Sequence, residues 1–168
     1  MITALSLKKG GVLMGGNGSY DKNTGGVPVA NQTHEALPNR IDGHKILVQK
    51  GKARKQVKLP MNSNSERPIY LCAFVDKTTN EITIKQIGIY RNHKVVAEIG
   101  LEFDKKGNLI PYSKGKGTHL HLYNEDTKGN RKRKSHDKKN TFPVPRKYRK
   151  LLKLIEKYNK ERHKYDNE

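Results

Sequence analysis

Tryptophan is absent from the 168 residues, cysteine occurs once, and acidic residues number only 16. Each shortage excludes something. A single cysteine, Cys72, cannot build an internal disulfide framework or a cysteine-rich zinc finger. Its place in the apolar run Ile69–Val75 reads as a small buried hydrophobe rather than a reactive thiol. No apolar run nears the ~18 residues that span a bilayer. The N-terminus, Met1-Ile-Thr-Ala-Leu-Ser-Leu-Lys-Lys9, lacks the charged and then long apolar pattern of a signal peptide. A cytoplasmic setting and no membrane partner are expected. Hydrophobic residues make up 33% of the chain, against ~45–50% in an ordinary globular domain. The core must be small, with part of the chain left solvated.

Positive charge is what the chain has in excess. Lysine and arginine total 35, for a formal net charge of +19. The excess is concentrated: residues 104–168 hold 20 basic and 8 acidic residues, against 15 and 8 in residues 1–103. The peak is Lys128-Gly-Asn-Arg-Lys-Arg-Lys134, followed by Lys138, Lys139, Arg146 and Lys147. Crowded like charges repel one another, and a dense polyanion relieves that cost while releasing its own counterions. RNA is the expected partner, with single-stranded DNA as the next. Arg131, Lys132, Arg133, Lys134, Lys138, Lys139, Arg146 and Lys147 would carry the phosphate contacts. No zinc finger, helix-turn-helix or basic heptad region supports sequence-specific reading of duplex DNA. Tyr90, Tyr112 and Tyr123 are placed to stack on unpaired bases, although core packing accounts for each equally well.

Residues 1–40 read as a glycine- and asparagine-rich flexible arm, punctuated by Gly10-Gly11, Gly15-Gly16-Asn17-Gly18 and Gly25-Gly26. The lysine and Ser/Thr that close a phosphate-binding P-loop are missing. Residues 41–168 read as one basic α+β domain. Ile46 and Val48 alternate with polar neighbours, as do Val57 and Leu59 before Pro60. A loop follows, then Ile69–Val75, apolar throughout, as a central strand covered on both faces would be. In Ile82–Tyr90 the apolar phase slips between Ile84 and Ile87, which predicts a β-bulge near Gln86. Val95, Ala97, Ile99, Leu101 and Phe103 form an alternating stripe expected to line the main core. His119–Tyr123 is a further short strand. After Pro145, the residues Tyr148, Leu151, Leu152, Ile155 and Tyr158 recur at helical spacing, with lysines on the remaining faces. The expected fold is a twisted, mainly antiparallel sheet of five or six strands carrying a C-terminal amphipathic basic helix.

Three of the seven histidines fall between Thr118 and Asp137. His119 and His121 project from one face of their strand, while Leu120 and Leu122 point from the other into the core. Two adjacent imidazoles on a basic surface cannot both charge cheaply, so one would serve as base and the other as acid. That arrangement suits metal-independent RNA cleavage, with one histidine taking the 2′-hydroxyl proton and another protonating the leaving 5′-oxygen. His136 beside Asp137, or His44 after Asp42-Gly43, could complete the site. His34, His93 and His163 read as structural. This scheme calls for no cofactor and no metal.

The motif His119-Leu120-His121 also resembles the His-hydrophobic-His signature of endonucleases that nick single-stranded DNA through a phosphotyrosine. That likeness implies Tyr148 or Tyr158 as nucleophile, with Glu125 or Asp126 completing a metal site. More broadly, the order of elements from Ile87 to Asp137 resembles small C-terminal modules of prophage-encoded and polymorphic-toxin-type proteins. Those elements are a strand pair, Gly117-Thr-His-Leu-His-Leu-Tyr123, and a basic stretch ending in Ser135-His-Asp137. Many such modules are similar to ribonucleases of the barnase, EndoU and colicin group. The resemblance implies an endoribonuclease with an acidic immunity or host nucleoprotein partner. A non-enzymatic alternative is a phage-type protein that binds nucleic acid or blocks a host nucleoprotein, a CRISPR effector included.

Overall fold

The computed structural model describes residues 33–50, 58–125, 127 and 140–165, together with the backbone of 131–133. Eight strands form one sheet: β1 (His34–Ile41), β2 (His44–Gln49), β3 (Ile69–Val75), β4 (Ile82–Arg91), β5 (Lys94–Gly100), β6 (His119–Glu125), β7 (Arg131–Arg133) and β8 (Thr141–Phe142). Strands β1 to β7 lie in sequence order, and β8 pairs with β6 beside β7. All pairings are antiparallel except β2 with β3. A 3-10 turn (Arg146–Tyr148) leads into the helix α1 (Arg149–Lys160). The architecture is α+β with a mostly antiparallel sheet, as expected, but with more strands than five or six.

Two of the additional strands have local reasons for being illegible. β1 contains Pro38, and its pairing with β2 is irregular between Ala36 and Arg40. Proline is tolerated there because, among the described residues, β1 pairs on one side only, with β2. β1 begins at His34, inside the stretch assigned to the arm; residues 1–32 lie outside the described residues. β8 is only two residues long, too short to show any period. Of the expected Val57–Leu59 strand, Val57 is outside the described residues and Leu59 is buried in an irregular segment.

The bulge in β4 lies where the phase slips. Cys72 faces Gln86 and Ala73 faces Ile84, leaving Lys85 as the extra residue. The insertion keeps Ile82, Ile84, Ile87 and Ile89 all on the side of the sheet that α1 covers. A second irregularity, between Tyr90↔Val95 and Ile89↔Ala97, makes Val96 the extra residue in β5. That corrects the expectation for the β5 stripe. Ile99 and Leu101, with Phe103 against them, join the helix-side core, whereas Val95 packs on the opposite face.

The helix-side core is aliphatic. Ile46, Leu71, Ile84, Ile87 and Ile99 from the sheet meet Leu151 and Ile155 of α1, and none is more than 4% exposed. Asn159 fixes the helix to β4. Pairing with β5 ends at Gln86↔Gly100, so the β4 edge beyond it has no neighbouring strand. There the Ile84 N–H donates to Asn159 Oδ1 at 2.9 Å, and Asn159 Nδ2 donates to the Ile84 carbonyl at 3.0 Å. Both backbone groups are thus satisfied where a strand would otherwise be needed. The far face has a smaller cluster of Leu47, Leu59, Tyr70, Cys72, Tyr90 and Val95. No helix among the described residues is long and apolar enough to cross a membrane.

Candidate functional sites: a buried histidine pair and a cationic helix

Strand alternation in β6 sends His119, His121 and Tyr123 to the face away from α1, while Leu120 packs against the helix-side core. The two histidines were expected on a basic surface. They lie instead in the interior, 5% and 0% exposed. On the same face, Leu59, Asn62 and Ser63 of the loop before β3 are buried toward the start of β5. Tyr90 Oη donates to the Pro60 carbonyl, and the Val95 N–H to Met61 O at 3.0 Å.

The pair is tightly organised. His119 Nε2 and His121 Nε2 are 2.9 Å apart, with ring planes crossing at 84°. His119 Nδ1 lies 2.6 Å from the Gly117 carbonyl. A carbonyl only accepts, so His119 Nδ1 carries the hydrogen there, and the two Nε2 atoms share one hydrogen bond whose direction follows the tautomers. Across the ladder, Gly100 faces His119 and Glu98 faces His121. A Cβ at position 100 would stand 3.1 Å from His119 Nε2, so glycine makes room for the ring. Glu98 is 2% exposed, and Tyr123 Oη donates to its Oε1 at 2.7 Å. Cys72 belongs to the same face; burial first, then Glu98, pushes its thiol above the usual range. That fits a packing role.

The remaining candidates scatter. His44 is on β2, four strands from β6, a separation of about 19 Å at ordinary strand spacing. It therefore does not complete a site with His119 and His121. Burial holds its imidazole below the ordinary value, opposed by Asp42. His136, Lys134, Lys138 and Lys139 lie outside the described residues, as do Asp126 and Asp137. Arg131, Lys132 and Arg133 form β7 and pair with Tyr123–Glu125. Tyr123 is half-buried and bonded to Glu98 rather than presented for stacking. Tyr90 is 3% exposed, and Tyr112 Oη donates to the Thr141 carbonyl at 3.1 Å.

The other histidines have structural bonds. His34 Nε2 donates to Lys58 O at 2.6 Å, His93 Nδ1 donates to Ser63 O at 3.0 Å, and His163 stacks on Tyr158. Tyr148 and Tyr158 are buried in the helix-side core. The histidine pair faces the opposite side of the sheet, so the geometry of a tyrosine nickase is not formed. Glu125 pairs with Lys94 at 3.7 Å. Among the described residues no group of three or more His, Cys, Asp or Glu side chains is placed to hold a metal ion.

Exposed charge collects on α1. Arg149, Lys150, Lys153, Lys157 and Lys160 are all exposed, and at 3.6 residues per turn they fall within an arc of roughly 100°. Leu151, Ile155 and Tyr158 occupy the opposing buried arc. Over that stripe lies an open cleft of about 620 Å³, lined among the described residues by Arg149, Lys150, Lys153, Leu154 and Lys157. Arg146 and Lys147, expected as phosphate ligands, are exposed just before the helix. The first turn contains no acidic residue. Cations there oppose the helix macrodipole, an arrangement that costs stability unless an anion is present. Comparison with family models, curated proteins and solved structures gives no match to this chain.

Proposed function

We propose that this protein binds single-stranded nucleic acid, RNA first, along the cationic face of α1 and the basic strand β7. The observation that carries this reading is the stripe of five exposed cations set against the buried arc of the same helix. Amphipathic packing needs only the buried arc. It does not require that five cations gather in one exposed stripe, with the helix's one acid, Glu156, half-buried and taken up by the Leu109 N–H, or that the helix begin with arginine and lysine where aspartate or glutamate would be favoured. Phosphates along the stripe would relieve both the mutual repulsion and the dipole penalty. A helix of 12 residues is about 18 Å long, enough for several consecutive phosphates. The leucine beneath the rim gives the stems of the lysines an apolar surface to lie on.

The burial of His119 and His121 favours binding over cleavage. A ribonuclease working through them would need this face of the sheet to open, since neither ring reaches solvent enough to meet a 2′-hydroxyl. Binding on α1 needs no such movement.

Fluorescence anisotropy with a labelled single-stranded RNA, read over a salt series, tests the proposal. Log affinity should fall linearly with log salt, by about 0.7 per phosphate neutralised. Chelator should not matter, and the RNA should remain uncut. Failure to bind any single strand at low salt would overturn the proposal. Cleavage that disappears in His119→Ala and His121→Ala while both variants stay folded would restore the enzymatic reading.

A further inference from the structure

A second gathering of cations lies at the β1–β2 turn, where it meets the start of β3. There an open cleft of about 400 Å³ is lined by Arg40, His44, Lys45, Ser65, Arg67 and Tyr70, with Pro68 and Ile69 along its wall. Arg40 and Lys45 face each other directly in the antiparallel register of β1 and β2. Like charges in that position destabilise a hairpin. Lys45 is only partly exposed, and burial followed by Arg40 holds its ammonium below the ordinary lysine value.

No carboxylate among the described residues pairs with Arg40, Lys45 or Arg67. Asp42, the nearest along the hairpin, is 3.6 Å from Lys150 Nζ on α1. Glu66 is exposed and does not line the cleft. Arg40 Nη1 reaches only the Gly43 carbonyl, at 3.4 Å. The floor is fixed, because Tyr70 is 2% exposed and its hydroxyl is bonded to Ser63 Oγ at 2.7 Å. Two arginines and a lysine, with a hydroxyl and an imidazole beside them, converge on a space the size of a small ligand.

We infer that this cleft binds a phosphomonoester, the terminal phosphate of a nucleic-acid strand held on α1. Three cations exceed what one singly charged phosphodiester requires. A terminal phosphate carries close to two charges at neutral pH and three strong acceptor oxygens, which suits arginine forks. Pro68 and Ile69 offer an apolar surface for the attached sugar or base. Arg40, Lys45 and Tyr70 share the sheet face away from α1, and the Asp42–Lys150 pair ties the tip of the β1–β2 turn to the first turn of α1, so a strand held on α1 would round that turn to put its end in the cleft. The inference rests on the proposed function for the source of the phosphate, and on the cleft alone for its chemistry.

The test is an anisotropy titration with ten-nucleotide RNAs carrying a 5′-phosphate, a 3′-phosphate or neither, the fluorophore on the opposite end. Uridine monophosphate and inorganic phosphate serve as competitors. Wild-type protein should bind one phosphorylated RNA roughly tenfold more tightly than the unphosphorylated one, the scale of one set of charge-assisted hydrogen bonds. Arg40→Gln with Arg67→Gln should abolish the preference without lowering the unfolding midpoint, since both side chains are exposed. Lys153→Gln with Lys157→Gln should weaken all three RNAs and keep the ratio. Equal affinity for the three RNAs, with no competition by the mononucleotide, would overturn the cleft. Binding of uridine monophosphate without any preference among the strands would overturn the strand-end source and leave a nucleotide cleft. If the mononucleotide binds through Arg40 and Arg67 and no RNA binds at all, the proposed function fails while the cleft's phosphate chemistry stands.

Discussion

The two faces of the sheet solve the same packing problem with different materials. The face under α1 is closed by isoleucine and leucine, and its only polar anchor from the helix to β4 among the described residues is the Asn159 amide on Ile84. The other face has only a small apolar cluster, extended at its β6 end by Glu98, His119, His121 and Tyr123. An aliphatic core tolerates imprecision, because hydrophobic contact has no direction. A buried polar cluster does not, since each donor needs its acceptor and a missing partner leaves a desolvated group. The first face should therefore govern how stable the protein is, and the second how specifically β5 and β6 are registered.

The largest expected effect is on the helix side. Ile99→Ala removes a fully buried side chain and should cost ~2–5 kcal/mol, read from the shift of the urea unfolding midpoint. A drop of a few tenths would mean that the two faces do not differ as described.

On the other face, Gly88→Ala should cost more than Gly100→Ala. The new Cβ would stand 2.8 Å from Tyr90 Cε1 and 3.0 Å from Leu59 Cδ2. Tyr90 is held by its bond to Pro60 and cannot swing aside, so an overpacking cost of ~1–3 kcal/mol is expected. His121→Ala should cost about as much, ~1–3 kcal/mol, by breaking the bond between the two Nε2 atoms in a buried setting. RNA affinity should be unchanged in the His121 variant, and a large loss of binding in a folded protein would place the pair in the interface after all.

The smallest effect is one of pH. His34 is buried, its imidazole held below the ordinary 6.5 by burial, with the bond to Lys58 O acting the other way. The unfolded chain therefore binds its proton first as the pH falls. Stability contributed at this site should be complete above pH 6.5 and decline below it, levelling off once the folded form also protonates. Unfolding midpoints measured from about pH 7.5 down to about pH 5 should show this decline, and His34→Gln should flatten it.

Much of the fold could be read from the chain because each strong element has an undisturbed period. The helix followed from Tyr148, Leu151, Ile155 and Tyr158, and the β4 bulge from the slip between Ile84 and Ile87. What escaped had a physical reason. Val95 continues the β5 alternation in sequence, but the extra residue at Val96 turns it to the other face, and nothing in its neighbours signals that. β1 is interrupted by Pro38 and Asn39 and pairs irregularly. The alternation of His119 and His121 with Leu120 and Leu122 determined which side chains share a face. It could not say whether the histidine face is covered, because alternation reports which side chains share a face and not what packs on that face. Glu98 is legible in sequence only as a charge on its strand; its bond from Tyr123 needs the β5–β6 pairing that brings the two together. The Arg40–Lys45 opposition needed the β1–β2 register, which the proline concealed.

The central claim is that the positive charge on α1 is there to meet phosphate, and the salt dependence of RNA binding tests it most directly. Lys150, Lys153 and Lys157 are exposed, so replacing all three by glutamine should change stability by no more than about 0.5 kcal/mol each. The account predicts that the slope of log affinity against log salt shrinks by about 0.7 for each phosphate no longer neutralised, and by roughly 2 in the triple variant. A triple variant that stays folded and retains both the wild-type affinity and the wild-type slope would contradict it.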